Sequence, residues 1–174
     1  MELEIRAIGR DELKVLSRVH HDAWTQAYTS FYPEWFLAER SPEFFHGLWY
    51  TFLDDDQRLV SAAMVGGRFC GFVRYGRPAA ESRPSSSRSG ELLTMYILRS
   101  ERGKGIGTRL LKYAEARMRE LGYRDALLFV VQDLHGSVAF YEANGWRWTG
   151  EYESIDLGGY SPEMLRMEKI LAEE

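Results

Sequence analysis

The stretch RSERGKGIGTRLL, residues 99–111, decides how the chain is interpreted, because glycine occupies alternate positions at Gly103, Gly105 and Gly107. An apolar segment, ELLTMYIL at 91–98, precedes it, and a run with helical spacing follows at once. Glycine tolerates positive φ and leaves room for a ligand beside the main chain. Amide groups at a helix N-terminus bind anions. The pattern therefore predicts a strand, a phosphate-binding loop and a helix.

Two common nucleotide-binding motifs do not match this loop. A P-loop ends in Gly-Lys-Ser/Thr, whereas Lys104 is followed by Gly105. The dinucleotide fingerprint G-x-G-x-x-G needs a third glycine where Thr108 stands. A third pattern, Arg/Gln-x-x-Gly-x-Gly/Ala, is matched by Arg102, Gly105 and Gly107. The loop therefore matches the third pattern and neither of the first two.

Composition narrows the class of protein. The chain has 174 residues, of which 45% are hydrophobic, so we expect one domain over residues 1–174 with a real core. A net charge of −4 argues against nucleic acid as a partner. The single cysteine, Cys70, excludes an intrachain disulfide and a cysteine zinc cluster. No apolar run suits a signal peptide or a membrane span, which predicts a cytoplasmic protein away from membranes. Because His20 and His21 point to different sides of a helix, they cannot bind one metal ion together, and we predict no metal site.

Hydrophobic periodicity predicts an α/β fold with a mixed, mostly antiparallel sheet of about seven strands and about four helices. Residues 76–90, GRPAAESRPSSSRSG, lack apolar periodicity and are expected to form a mobile internal loop. The helix after the glycines is predicted over 108–121. Strands are predicted at 2–7, 58–65, 68–75, 91–98 and 125–131, and in the segments WRWTGEYES and EMLRMEKI.

Three segments together resemble one family. MYILRSERGKGIG, the later AFYEANGW, and the N-terminal VHHDAWTQAY followed by FYPEWF are similar to elements of the GNAT superfamily of N-acetyltransferases. The resemblance implies a GNAT-like acyl-CoA N-acyltransferase fold whose central parallel strands splay apart. It also implies acetyl-CoA as co-substrate and a small-molecule or peptide amine as acceptor. Homodimerisation is expected from family habit alone.

The resemblance assigns the acetyl-CoA contacts. Main-chain groups of Met95, Tyr96 and Ile97 would bind the pantetheine arm, with the Met95 amide directed at the thioester carbonyl. Many members carry an asparagine seven residues before the tyrosine of AFYEANGW. Here Leu134 stands in its place, and His135 is the neighbouring side chain that could replace the contact. The pyrophosphate would bind the loop residues Arg102, Gly103, Lys104, Gly105, Ile106, Gly107 and Thr108.

Acetyl transfer to an amine requires a base for the nitrogen and an acid for the leaving thiolate. Glu91 matches by spacing the carboxylate base of those members that place one on this strand; a solvated strand-end glutamate is the alternative interpretation. Glu151 and Glu153 are other carboxylates that could serve. Tyr141 matches the family's tyrosine near the sulfur, and a tyrosine pKa of about 10 suits proton donation to a thiolate. Alternatively, Tyr141 is a core residue beside Phe140.

The first helices carry aromatic residues at Trp24, Tyr28 and Tyr32. In the family these helices form one wall of the acceptor site, so the rings either bind the acceptor or pack a core and dimer face. The predicted function is an N-acetyltransferase in which the amine attacks acetyl-CoA directly. The alternative is a catalytically weak acyl-CoA-binding or regulatory module.

Overall fold

The computed structural model describes residues 2–171. The strands are β1 (Leu3–Ala7), β2 (Arg58–Val65), β3 (Arg68–Gly76), β4 (Ser89–Ile97), β5 (Asp125–Val131), β6 (Arg147–Ser154) and β7 (Glu163–Ile170). The α-helices are α1 (Leu13–Tyr28), α2 (Glu34–Glu39), α3 (Pro42–Asp54), α4 (Ile106–Glu120) and α5 (His135–Ala143).

The strands form one mixed sheet in the order β1-β2-β3-β4-β5-β7-β6. Strands β4 and β5 are parallel, and their pairing joins Ser89–Glu91 to Asp125–Leu127. The predicted mixed sheet is thereby confirmed. Residues 2–171 contain five α-helices rather than about four, because the proline-initiated starts at Pro33 and Pro42 each begin a separate helix.

The chain divides into two compact units. The first comprises Met1–Gly76 and Thr94–Ala114, and the second comprises Arg77–Leu93 and Glu115–Glu174. Strand β4 and helix α4 each contribute residues to both units, so their sequences connect the two parts of the chain.

The core of the first unit forms where α1 and α3 pack on β2 and β3. The N-terminus of helix α3 is capped, because Ser41 Oγ accepts a hydrogen bond from Phe44 N, and Pro42 occupies the first turn. The apolar faces of these elements then bury one another, which is the dominant stabilising term for such a layer. This core contains Leu13, Leu16, Trp49, Phe52, Val60, Ala62 and Phe72.

One imidazole lies inside this aromatic core. The His20 ring lies 4.4 Å from Phe45, 4.8 Å from Phe72 and 5.1 Å from Tyr96, measured between ring centroids. Its Nδ1 is buried and has no hydrogen-bond partner among the residues that the structure describes. Burial, with a smaller contribution from His21, lowers the pKa of His20 to about 3. His20 is therefore neutral in the folded protein near neutral pH.

This buried histidine predicts acid-sensitive stability. In the unfolded chain a histidine titrates near pH 6.5, so below this pH the unfolded state binds a proton that the folded state does not bind. The contribution of His20 is complete above pH 6.5 and is lost as the pH falls towards 3. We expect the free energy of unfolding in urea to be about 2 kcal/mol lower at pH 5 than at pH 7 from this group. His20→Leu should flatten this dependence and the neighbouring variant His21→Asn should not; equal slopes in all three proteins would contradict the prediction.

The second unit contains the strands β5, β6 and β7 and the first residues of β4. Gly90 lies close to the side chains of this unit: a Cβ there would lie 3.0 Å from Met118 Sδ and 3.1 Å from Tyr123 Cγ, so a larger residue would require these neighbours to shift. The segment predicted as a loop, 76–90, has a defined path in the structure: a short 3-10 turn spans Ala80–Ser82, and β4 begins at Ser89 rather than at Glu91. Its mobility stays a prediction.

Candidate active site

The glycine loop lies in the first unit, between β4 and α4. Gly103 and Gly105 have φ values of 73° and 77°, which non-glycine residues rarely adopt. A Cβ at either position would meet nothing within 4 Å, so the glycines are needed for backbone conformation and not for space within the protein. The Gly105 carbonyl accepts a hydrogen bond from Arg109 N at 3.1 Å, and α4 begins at Ile106, two residues earlier than predicted. First-turn amides of a helix lack helical acceptors, so this end suits an anion.

The basic side chains of the loop are tied to their surroundings. Arg102 Nε donates to the Ile97 carbonyl at 3.1 Å, which connects the loop to the end of β4. Desolvation, and next the charge of Arg99, lower the pKa of Arg102, so a nearby anion would favour its charged form. Lys104 Nζ lies 3.0 Å from Glu101 Oε2, an exposed pair that partly neutralises the lysine.

The aromatic residues predicted to bind the acceptor form a packed cluster in the first unit. Tyr28 and Tyr32 stack with ring centroids 4.4 Å apart, and Trp24 lies 5.2 Å from Tyr28. Trp24 and Tyr32 are buried, and Tyr28 is half-buried. The Tyr96 hydroxyl, on β4, donates to the Tyr28 hydroxyl at 3.3 Å, and burial raises the pKa of Tyr28. The cluster therefore contacts the strand that carries Met95, Tyr96 and Ile97.

Glu91 is a buried carboxylate in the second unit, with a residue exposure of 5%. Its Oε2 accepts hydrogen bonds from Ala79 N at 2.8 Å and from Ser82 Oγ at 2.7 Å. The alternative of a solvated strand-end glutamate is thereby excluded. The other candidate carboxylates, both on β6, lie in different environments: the Glu151 side chain is exposed, and Glu153 pairs with Arg83.

Tyr141 lies near the end of α5 and is 9% exposed. Its ring is 5.3 Å from Phe140 and 6.2 Å from Trp146, between centroids. The Tyr141 carbonyl accepts hydrogen bonds from Asn144 N and Trp146 N, which close the end of the helix. Tyr141 is thus packed beside Phe140, as the alternative of a core tyrosine expects, and its role as proton donor stays a prediction.

Leu134 acts through its main chain. Its carbonyl accepts from Ser137 N at 2.8 Å and from Val138 N at 3.0 Å, so it begins α5. His135 is the exposed first residue of that helix. Sequence reasoning missed Gln132, directly after β5, whose Oε1 is buried without a hydrogen-bond partner among the described residues. The available signal was a polar residue directly after the apolar run DALLFVV, two positions before Leu134.

A polar cavity of about 310 Å³ also lies in the second unit. Two of its charged side chains pair with each other, since Arg166 Nη2 lies 2.7 Å from Glu168 Oε1. A third, Arg83, pairs with Glu153. The lining comprises Arg83, Ser85, Thr149, Glu151, Arg166 and Glu168.

Comparison with known proteins identifies the family of this chain. The model of the acetyltransferase (GNAT) family matches residues 21–146, which include the glycine loop, Glu91 and Tyr141. The chain belongs to the GNAT family. The resemblance of MYILRSERGKGIG and AFYEANGW to GNAT elements is therefore confirmed.

Two curated GNAT relatives match over most of their length. The uncharacterized N-acetyltransferase YuaI of Bacillus subtilis is 23% identical over 143 residues, covering 80% of this chain and 77% of that protein. The spermidine N(1)-acetyltransferase of Thermoplasma acidophilum is 25% identical over 152 residues, covering 84% of this chain and 89% of that protein.

Solved structures share the fold. The PaiA N-acetyltransferase of Thermoplasma acidophilum, solved in complex with coenzyme A, has a TM-score of 0.73 and 24% identity over 98% of this chain and 99% of that chain. An N-acetyltransferase from Staphylococcus aureus has a TM-score of 0.74 and 18% identity over 99% and 100% of the two chains. Within residues 2–171, no helix is long and apolar enough to cross a membrane, and no group of three or more His, Cys, Asp or Glu side chains is placed to hold a metal ion.

Proposed function

We propose that this GNAT domain transfers the acetyl group of acetyl-CoA to a primary amine by direct attack of the amine. The observation that carries the proposal is the content of β4. This strand contains the buried carboxylate of Glu91, continues through Met95–Ile97, and leads into the glycine loop at the start of α4. The same strand therefore carries a candidate base and main-chain groups for acetyl-CoA. The chain that follows it forms the loop and helix N-terminus that we propose bind the pyrophosphate.

The residues present suit coenzyme A chemically. The loop residues 102–108 offer amides and the Arg102 guanidinium to a pyrophosphate. The orphaned Gln132 Oε1 is an acceptor that an amide N–H of the pantetheine arm would satisfy, in place of the side chain that Leu134 lacks. Main-chain groups of Met95, Tyr96 and Ile97 would bind the remaining pantetheine amides. His135 is a further candidate contact. The bound donor supplies an activated thioester.

The proposed chemistry assigns one task to each group. Glu91 accepts a proton from the acceptor ammonium, directly or through water, and the free amine forms the new N–C bond while the C–S bond breaks. The Met95 amide stabilises negative charge on the thioester oxygen. Tyr141 donates a proton to the departing thiolate. Two protons leave nitrogen in all. One replaces the proton that Tyr141 gives to sulfur, and the other is released to solvent.

For the acceptor we propose a small-molecule or peptide amine, with Trp24, Tyr28 and Tyr32 forming part of its site. The spermidine acetyltransferase relative makes polyamines the first class to test. Family membership alone supports two further proposals, that the protein forms a homodimer and that it acts in the cytoplasm.

The test is turnover. Purified protein is incubated with acetyl-CoA and a panel of polyamines, amino acids, peptides and aminoglycosides, and products are identified by mass spectrometry alongside thiol release. We expect an N-acetylated product with at least one class. Binding of coenzyme A without any acetylated product would instead support the weak acyl-CoA-binding module.

Tyr141→Phe tests the proton donor. Removing the hydroxyl should lower kcat by about 10²-fold, since this is the typical contribution of a positioned general acid, and should leave the KM for acetyl-CoA unchanged. Tyr152→Phe, at an exposed tyrosine of the same unit, is the matched control and should behave as wild type. Equal kcat values in the two variants would remove Tyr141 from the mechanism.

A further inference from the structure

The turn before β4 contains a strained residue. We call residues 79–83 the Ser82 turn; it includes the 3-10 segment Ala80–Ser82. Arg83, which follows, has a φ of 46° and is the only non-glycine residue with positive φ among the described residues. Such a conformation is unfavourable for a residue with a side chain and persists when surrounding contacts determine it. Contacts on both sides of the turn meet this condition.

On one side, the contact is Arg166 of β7, which is 3% exposed. Its Nη1 donates to the Ser82 carbonyl at 2.7 Å, and its Nη2 donates to the Arg83 carbonyl at 3.1 Å. Nε and Nη2 also donate to Glu168 Oε1, at 3.1 and 2.7 Å, so the guanidinium charge is neutralised. A buried guanidinium bound to two successive carbonyls fixes the path of the main chain.

On the other side, the contact is Glu91. Ser82 is 3% exposed, and its Oγ donates to Glu91 Oε2 at 2.7 Å. The Ala79 amide donates to the same oxygen at 2.8 Å. The turn therefore connects Arg166 to Glu91 through the carbonyl and the hydroxyl of one residue.

Strand register supports the same connection. Glu91 pairs with Leu127 on β5, and Leu127 pairs with Glu168 on β7. The three residues thus form a row across three strands, with about 10 Å between the two glutamates at a strand spacing of about 4.8 Å. Arg166 lies two residues before Glu168 and belongs to the same face of its strand. The Ser82 turn bridges β4 and β7, the strands that carry Glu91 and Arg166.

We propose that Ser82 and Arg166 are positioning residues for Glu91: Arg166 holds the Ser82 turn, and the turn directs the Ser82 hydroxyl and the Ala79 amide at the carboxylate. The inference rests on the proposed function, because it assigns Glu91 the role of base. Two donors at one oxygen orient the carboxylate and favour its charged form, which is the form that accepts a proton.

Ser82→Ala is the decisive variant. We expect kcat to fall about 10-fold at neutral pH with the KM for acetyl-CoA unchanged. The acid limb of the pH profile of kcat/KM should move to higher pH by about one unit, because the charged carboxylate loses a hydrogen bond. A residue that only stabilises the fold would not move this limb. Ser82→Thr, which keeps the hydroxyl, should restore its position.

Ser87→Ala is the matched control, since Ser87 is an exposed serine of the same segment, whereas Ser85 donates to the Glu168 oxygen that Arg166 also contacts. It should leave both the rate and the acid limb unchanged. Arg166→Met should reproduce the Ser82→Ala shift, and the double variant should show no larger shift than either single variant. If Arg166→Met fails to fold, Ser82→Ala still decides the matter.

The outcomes separate the two proposals. An acid limb that stays in place in Ser82→Ala, while Glu91→Gln is inactive, overturns the positioning role and leaves the base intact. Full activity of Glu91→Gln overturns both. A readout independent of turnover is the titration of the Glu91 carboxyl carbon by NMR in ¹³C-glutamate protein, with Glu91→Gln assigning the signal. Its midpoint should rise in Ser82→Ala and not in Ser87→Ala.

Discussion

Replacing Glu91 by glutamine is expected to lower kcat for acetyl transfer by about 10³-fold, because a positioned base typically contributes 10²- to 10⁴-fold. Glutamine has nearly the same shape and retains an oxygen that can accept from Ala79 N and Ser82 Oγ, so the turn should remain in place. The amide cannot take a proton from the acceptor. Steady-state kinetics should therefore show a loss in kcat, whereas calorimetry should show unchanged affinity for coenzyme A.

The two carboxylates on β6 are the controls for this variant. Glu151→Gln alters an exposed side chain whose Oε2 lies 3.5 Å from Arg166 Nε, and Glu153→Gln alters one that pairs with Arg83. Both variants should retain kcat within about 3-fold, as expected for groups outside the proton transfer. If one of them loses activity while Glu91→Gln keeps it, the base lies on β6.

The largest effect on stability is expected at Glu115. This carboxylate is 4% exposed, and both its oxygens lie within 2.9 Å of Lys169 Nζ. Oε1 also accepts from Trp146 Nε1 at 2.9 Å. Glu115→Leu would leave the half-buried ammonium without its counter-charge and the indole without its acceptor. We expect the free energy of unfolding in urea to fall by about 3–5 kcal/mol.

A double variant separates the charge from the packing. In Glu115→Leu/Lys169→Met both charges are gone, so the loss should be smaller than in Glu115→Leu alone. Glu120→Gln, which breaks an exposed pair with Arg117 on the same helix, should cost at most about 1 kcal/mol. Equal losses in Glu115→Leu and Glu120→Gln would show that the buried pair contributes no more than a surface pair.

The glycine loop could be predicted because its requirements are local. Positive φ at Gly103 and Gly105 depends on the residue type at each position, and the helix that follows has its own periodicity. The exact start of α4 at Ile106 was missed by two residues, since the hydrogen bond from Arg109 N to the Gly105 carbonyl already makes Ile106 helical. The start of β4 at Ser89 was missed for a different reason: Ser89 and Gly90 pair with Asp125 and Ala126 of β5, which are distant in sequence.

The state of Glu91 could not be predicted from its neighbours in the chain. Its donors come from the segment GRPAAESRPSSSRSG, residues 76–90, which has no periodicity, and that segment is held by Arg166, 84 residues after Ser82. Gln132 was missed for a similar reason, because an unsatisfied buried oxygen is defined by what surrounds it and not by its own residue type.

The sequence by itself determined the family, the mixed sheet and the glycine loop, because spacing within a few residues encodes strand alternation, helix periodicity and backbone conformation. Only the tertiary structure decided that Glu91 is buried and held by the Ser82 turn, and that Glu115 forms a buried network with Trp146 and Lys169. Burial and charge pairing depend on which strands become neighbours, and residues far apart in the chain supply both partners of each contact.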